Sequence, residues 1–205
     1  MPLARLLDPD AYPRPLKYAF DVRLGRGTFG VVYSATVQPA GHELAVKVFK
    51  DGASARRQAI EEAGTLEKCA HVCIVPLYDA WWEAKTKIAY FVFPRMETDL
   101  ERLLRSNPHG VTPAMGRDIL YPVGCAFDHV HRLGVIHRDV KPANILLRSS
   151  KGSYDVLLGD LGAVSEAGHH RPLVNREPSF FEVPPGVSRA KLLQTAVDWR
   201  VGTVR

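Results

Sequence analysis

His137-Arg138-Asp139-Val140-Lys141-Pro142-Ala143-Asn144, followed by Ile145-Leu146-Leu147, is the stretch from which the fold is read. It sets a histidine, an acid, a lysine and an amide side by side, immediately before an apolar run of strand length. Asp139 can accept a proton from a hydroxyl, Lys141 can neutralise a phosphate in transit, and Asn144 can hold a metal ion. An ordinary polar turn before a strand is the alternative for these residues taken alone.

Downstream, Val156-Leu157-Leu158-Gly159-Asp160-Leu161-Gly162 repeats the pattern of an apolar run that ends on an acid. A lone Asp-x-Gly is an ordinary turn; here the preceding apolar run and the position 21 residues past Asp139 single out Asp160 as a functional candidate. Upstream, Thr112-Pro113 reads as a helix start, with Thr112 as cap and Pro113 in the first turn. Ile119, Val123, Ala126, Phe127 and Val130 then keep a helical period, and Gly134 is the stop signal. Pro122 falls inside that period. It should remove one hydrogen bond and kink the helix, at a cost of about 3 kcal/mol.

Nearer the N-terminus the period changes to that of strands. Tyr18, Phe20, Val22 and Leu24 alternate with other residues and run into Gly25-Arg26-Gly27-Thr28-Phe29-Gly30. A second strand, Val31 to Val37, follows directly, so the glycines join two strands, not the strand and helix of a dinucleotide-binding unit. Glycines there let the backbone fold closely over phosphates. A third strand, Leu44 to Phe49, sets Lys47 among apolar residues, a cation that in most strands would be solvated. Ala53 to Cys69 reads as a helix that carries Glu61 and Glu62. Strands over Ile74 to Trp82 and Ile88 to Phe93, and a helix over Leu100 to Leu104 capped by Asp99, complete the upstream reading. Cys69, His71 and Cys73 are spaced like metal ligands, but a structural zinc needs a fourth that is not nearby, so they read as helix-end residues.

Composition narrows the class. The 205 residues are 46% hydrophobic and 24% charged, with a net charge of +5, so neither a polyanion-binding patch nor a disordered chain is indicated. Nucleic acid is not an expected partner. No apolar run approaches the roughly 18 residues that span a bilayer, so no membrane association is expected. Three cysteines, Cys69, Cys73 and Cys125, cannot all pair, which fits reduced thiols in a cytoplasmic or nuclear protein.

The order of these motifs resembles that of eukaryotic-type protein kinases. The catalytic-loop stretch, with Lys141 after Asp139, looks like the serine/threonine-directed version, and Tyr90 to Leu100 resembles the hinge of the mitogen-activated and cyclin-dependent groups. The resemblance implies an α+β fold of two lobes: a five-stranded antiparallel sheet with one helix above an incomplete, mainly helical lobe. It implies ATP and Mg²⁺ as cofactors. Asp139 would orient or deprotonate the hydroxyl, Lys141 would offset charge on the phosphate, and Lys47 would hold the nucleotide's first two phosphates while paired with a glutamate. Counting back from His71 by the family's interval selects Glu62 over Glu61. Asn144 and Asp160 would hold the metal; leucine replaces the family's phenylalanine after Asp160 but keeps an apolar plug. The nucleotide pocket would comprise Leu24, Gly25, Gly27, Gly30, Val32, Ala45, Lys47, Phe93, Pro94, Met96, Asp99 and Leu146. In it Val32 would cover the adenine, Phe93 would be a bulky gatekeeper, the backbones of Pro94 and Met96 would meet the adenine edge, and Asp99 the ribose.

The expected organisation is an extended proline-rich arm over 1–17, an N-lobe over 18–95, and a partial C-lobe over 96–205 with a long activation segment over 161–205. Within that segment Ser165, Ser179, Ser188 and Thr195 are candidate phosphorylation sites. Gly202-Thr203 resembles the pair that precedes the family's Ala-Pro-Glu, which does not follow, so the domain is expected to be truncated. The implied activity is transfer of the ATP γ-phosphoryl group to a serine or threonine of a protein substrate, under a regulator the sequence does not identify. A pseudokinase or nucleotide-holding scaffold is the alternative.

Overall fold

Alternating apolar residues and short turns build the upper part of the molecule. A computed structural model of the chain describes residues 17–27, 30–38, 41–49, 54–150 and 152–166. Strands β1 (Lys17–Arg26), β2 (Gly30–Gln38), β3 (His42–Phe49), β4 (Asp79–Glu83) and β5 (Ile88–Pro94) form one antiparallel sheet in the order β1-β2-β3-β5-β4. Period two gives the sheet two faces. The row Val32, Lys47, Phe91 lies in register on one face, with Ala45 and Phe93 beside it; Ala35, Val46, Trp81 and Val92 form the core of the other. Helix α1 (Ala55–Lys68) turns its small residues Ala55, Ala59 and Ala63 into the core with Phe49 and Phe91.

The lower part begins after β5. The two-residue strand β6 (Thr98–Asp99) leads into α2 (Leu100–Ser106), then α3 (Pro113–Arg132), β7 (Val135–Ile136), β8 (Ile145–Ser150) and β9 (Ser153–Leu158). Strand β8 pairs with both β6 and β9, and β7 pairs with β10 (Ser165–Glu166). Thr112 caps α3 by accepting from the Met115 N–H, and Gly134 takes the positive φ of 71° that ends the helix. Ile119 and Val123 from α3 pack on Ile145, Leu147 and Val156, which seats the β8–β9 hairpin on the helix. This is the two-lobed α+β architecture that the resemblance implies.

One expectation fails. The predicted strand over Ile74 to Trp82 shortens to Asp79–Glu83. Pro76 has no N–H to give a ladder, and Ile74 and Val75 instead meet Leu158 of β9 in an isolated parallel bridge, with Val75 N–H donating to the Leu158 carbonyl at 2.9 Å. Pro122 lies inside α3, a helix of 20 residues, as the sequence leads one to expect. Burial of Ile119, Val123, Ala126 and Val130 along one stripe outweighs the one lost hydrogen bond. The arm before Lys17, candidate phosphorylation sites Ser179, Ser188 and Thr195, and Gly202-Thr203 lie outside the described residues, as does most of the expected activation segment.

Candidate active site

Between the two lobes the sheet contributes a cation and the lower loops contribute acids. Lys47 on β3 reaches Glu62 on α1, its Nζ standing 2.7 Å from both carboxylate oxygens. The same Nζ lies 3.8 Å from Asp160 Oδ1. Glu62 is buried, and burial pushes its carboxyl above the usual carboxylate range while Lys47 pulls it back. Of the two glutamates left open by the sequence, the fold brings Glu62 to the lysine; Glu61 is half-exposed, with Arg57 3.9 Å away on the same helix. Gly162 is part of this contact: a Cβ there would stand 2.7 Å from Glu62 Oε2.

The lower loop is held by its own polar groups. Lys141 Nζ lies 2.7 Å from Asp139 Oδ2. Asn144 Nδ2 donates to the Asp139 carbonyl at 2.8 Å and to Asp139 Oδ2 at 3.1 Å, which leaves the amide oxygen of Asn144 as an acceptor. Buried His137 ties this loop to the one bearing Asp160. Its Nδ1 accepts from the Asp139 N–H at 3.3 Å, so Nε2 carries the proton and donates to the Gly159 carbonyl at 3.0 Å. Gly159 N–H in turn donates to the Asn144 carbonyl at 2.8 Å. Arg138 and Asp160 have φ of 64° and 57°, left-handed conformations that cost non-glycine residues on the order of 1–3 kcal/mol and gather where a fold holds reactive groups in place.

The remaining predicted residues belong to the β1–β2 hairpin, β3, the end of β5, and the segment through β6 and β8. Gly25 and Gly27 have no described atom within 4 Å of where a Cβ would stand, so their backbone is open to close approach. Gly30 differs: its Cβ would meet the Val48 carbonyl oxygen at 2.3 Å, so this glycine serves the β2–β3 contact. Val32 and Ala45 share the inner face with Lys47, and Phe93 stands opposite Ala45 with its ring packed edge-on to Phe91. Pro94 ends β5, and the Met96 carbonyl accepts from the Arg95 guanidinium, while among the described residues no hydrogen bond uses the Met96 N–H. Asp99 caps α2, accepting from the Arg102 N–H at 2.9 Å, and pairs in register with Leu146 on β8.

The donor set suits a hard cation. Asn144 offers an amide oxygen and Asp160 a carboxylate about one-third exposed, and Mg²⁺ takes such oxygen ligands in small number with the rest from phosphates and water. Among the described residues no cluster of three or more His, Cys, Asp or Glu could hold a metal by itself, and Cys69 and Cys73 are free thiols that burial makes weaker acids. His137, Gly159, Gly162 and Arg102 are site-shaping residues that the sequence reading did not select. Gly162 could have been found from the Asp-Leu-Gly motif it closes, whereas Arg102 carries no motif.

Known proteins place the chain in context. A family model described as protein kinase domain matches residues 18–204. Over 154 residues the chain is 33% identical to a probable cyclin-dependent kinase 8 of Dictyostelium discoideum, a match covering 71% of this chain and 40% of that protein. It is 30% identical over 191 residues to cyclin-dependent kinase 7 of Xenopus laevis, covering 88% of this chain and 53% of the other. A similarity of 32% over 154 residues extends to mitogen-activated protein kinase 4 of Arabidopsis thaliana, with 71% and 40% covered. The chain thus spans about half the length, or less, of these relatives.

Proposed function

The chain belongs to the protein kinase family, and from that premise we propose that it transfers the γ-phosphoryl group of ATP to a serine or threonine hydroxyl of a protein. The observation that carries the reading is the convergence of Lys47, Glu62 and Asp160 above the Asp139–Lys141–Asn144 cluster. Lys47, held by Glu62, would bind the nucleotide's first two phosphates. Asn144 and Asp160 would hold Mg²⁺, which when bound neutralises charge on the phosphates. Asp139 would take the hydroxyl proton, and Lys141 would balance charge on the group in transit. Gly25, Gly27, Val32, Ala45, Phe93, the Pro94 and Met96 backbones, Asp99 and Leu146 would enclose the adenosine. Little covalent work is asked of the protein; positioning and charge stabilisation supply the rate.

In this reading residues 18–95 form the upper lobe and 96–205 the lower. The likeness to cyclin-dependent kinases supports a regulatory protein as partner. Among the described residues no helix is long and apolar enough to cross a membrane; we place the site of action in the cytoplasm or nucleus.

The test is radiolabelled phosphate transfer to a generic basic protein by the wild type, Asp139→Asn and Lys47→Met. Asp139→Asn is expected to lower the transfer rate by roughly 10²–10⁴-fold with little change in nucleotide affinity. Wild-type transfer no greater than that of Lys47→Met would leave a nucleotide-holding scaffold in place of an enzyme.

A further inference from the structure

Arg102 joins the two sides of the cleft at its outer mouth. It sits in the first turn of α2, in the lower lobe, and one guanidinium nitrogen donates to the carbonyl of Leu24 on β1, in the upper lobe, at 2.9 Å. Its Nε lies 3.3 Å from Asp99 Oδ2, while its backbone N–H donates to Asp99 Oδ1 at 2.9 Å. The guanidinium is thus anchored on the floor and extended to the roof, a use for which arginine's fixed fork is suited and a lysine's single ammonium is not.

The roof is built to receive it. The β1–β2 register runs Arg23↔Tyr33 and then Gly25↔Val32, so Leu24 is an extra residue with no register partner. A bulge of this kind re-aims backbone groups, and here the Leu24 carbonyl accepts across the cleft. Leu24 opens the glycine loop, so a bond to it restrains the edge that must lift when a ligand passes.

We propose that Arg102 is an interlobe latch that gates nucleotide exchange: the Leu24 bond must break each time a nucleotide enters or leaves. This rests on the reading of the cleft as an ATP site. Asp99 can serve latch and ribose together, because a carboxylate has about four acceptor positions and Arg102 uses two contacts. In this proposal the bond forms alike over the empty and the occupied cleft and breaks only during passage. Its loss should therefore change both rate constants in the same direction and leave the equilibrium nearly untouched.

The experiment follows an ATP analogue labelled on its γ-phosphate, with adenine and ribose unmodified, by stopped-flow fluorescence with wild type, Arg102→Leu and Arg102→Lys. Arg102 is more than half exposed and the Asp99 cap uses its backbone, so both variants keep the helix. In Arg102→Leu association and dissociation are each expected to quicken by about three- to tenfold, the worth of one net hydrogen bond, with Kd shifting less than about twofold. Arg102→Lys should fall between. Unchanged rates overturn the latch, and slower association with weaker binding overturns it in favour of a direct nucleotide contact. If the wild type binds no nucleotide at all, the functional reading fails separately. Amide exchange over β1 and β2 in the nucleotide-free proteins then decides the latch: faster exchange in Arg102→Leu supports it, and equal exchange overturns it.

Discussion

His137 shows how one side chain can hold two functional loops at once. It is buried, accepts from the Asp139 N–H and donates to the Gly159 carbonyl, so both nitrogens are committed to the neutral ring. Burial is the main influence on its pKa and pushes it below the usual imidazole value, against smaller opposing effects of Gly159, Asp160 and Asp139. The sign follows from proton uptake. Below the unfolded pKa of about 6.5 the unfolded chain binds a proton that the folded chain refuses, so this contribution to stability is complete above that value. It is lost as pH falls toward the lowered folded pKa. Wild-type Tm should therefore drop as pH goes from 7 to about 5; His137→Asn should lose about 1–3 kcal/mol of unfolding free energy at pH 7 but show a shallower drop in Tm. Parallel pH profiles for the two proteins, measured by calorimetry, would show that the ring is not the group being protonated.

Among the elements, the glycine-bearing β1–β2 hairpin separates what could be read in advance from what could not. Strand alternation, the capped start of α3 and the Gly134 stop were legible, because they depend on neighbours along the chain. So were Lys47 and the Asp139 loop, because few roles require those residue types in that order. The role of Gly30 was not legible. In the sequence it is the last of three equivalent glycines, and only pairing shows that its α-carbon faces the Val48 carbonyl. The Glu62–Gly162 contact and the Arg102 bond to Leu24 were hidden for the same reason, since their partners are distant in the chain. Similarly, the strand expected from Ile74 failed because its partner is Leu158 of the lower lobe, not the upper sheet. The glycines can be separated by experiment. Gly30→Ala forces a Cβ into a backbone carbonyl that cannot swing aside and should cost about 1–3 kcal/mol in thermal or denaturant unfolding. Gly25→Ala has open space and no positive φ, so stability should stay within about 0.5 kcal/mol, while ATP titration should show weaker binding. Equal stability loss in both variants would mean that the hairpin as a whole, not its contact with β3, is sensitive.

At the scale of the whole molecule, the lobes share one core. The cluster that contains Phe49, Ala80 and Phe91 of the sheet and Ala59 and Ala63 of α1 continues through Ile74 to Ala126 and Val130 of α3, Val135 of β7 and Leu158 of β9. Ile74 is 2% exposed and lies at the crossing, where the Cys73 carbonyl and Val75 N–H are both bonded to Leu158. The site depends on this continuity, since Lys47 and Glu62 belong above it and Asp160 follows β9 below it. Apolar burial is non-directional, but a close-packed crossing leaves little room for the lobes to slide independently. Ile74→Ala would open a cavity in that crossing, with an expected loss of about 2–5 kcal/mol. Because the lost contacts belong to both sides, amide exchange should quicken by similar factors in β5 and in α3, and the denaturant transition should remain single. Loss of protection confined to α1 and β4, with α3 unchanged, would show instead that the upper lobe unfolds on its own, and that the 3.8 Å approach of Lys47 to Asp160 is held by the polar contacts alone.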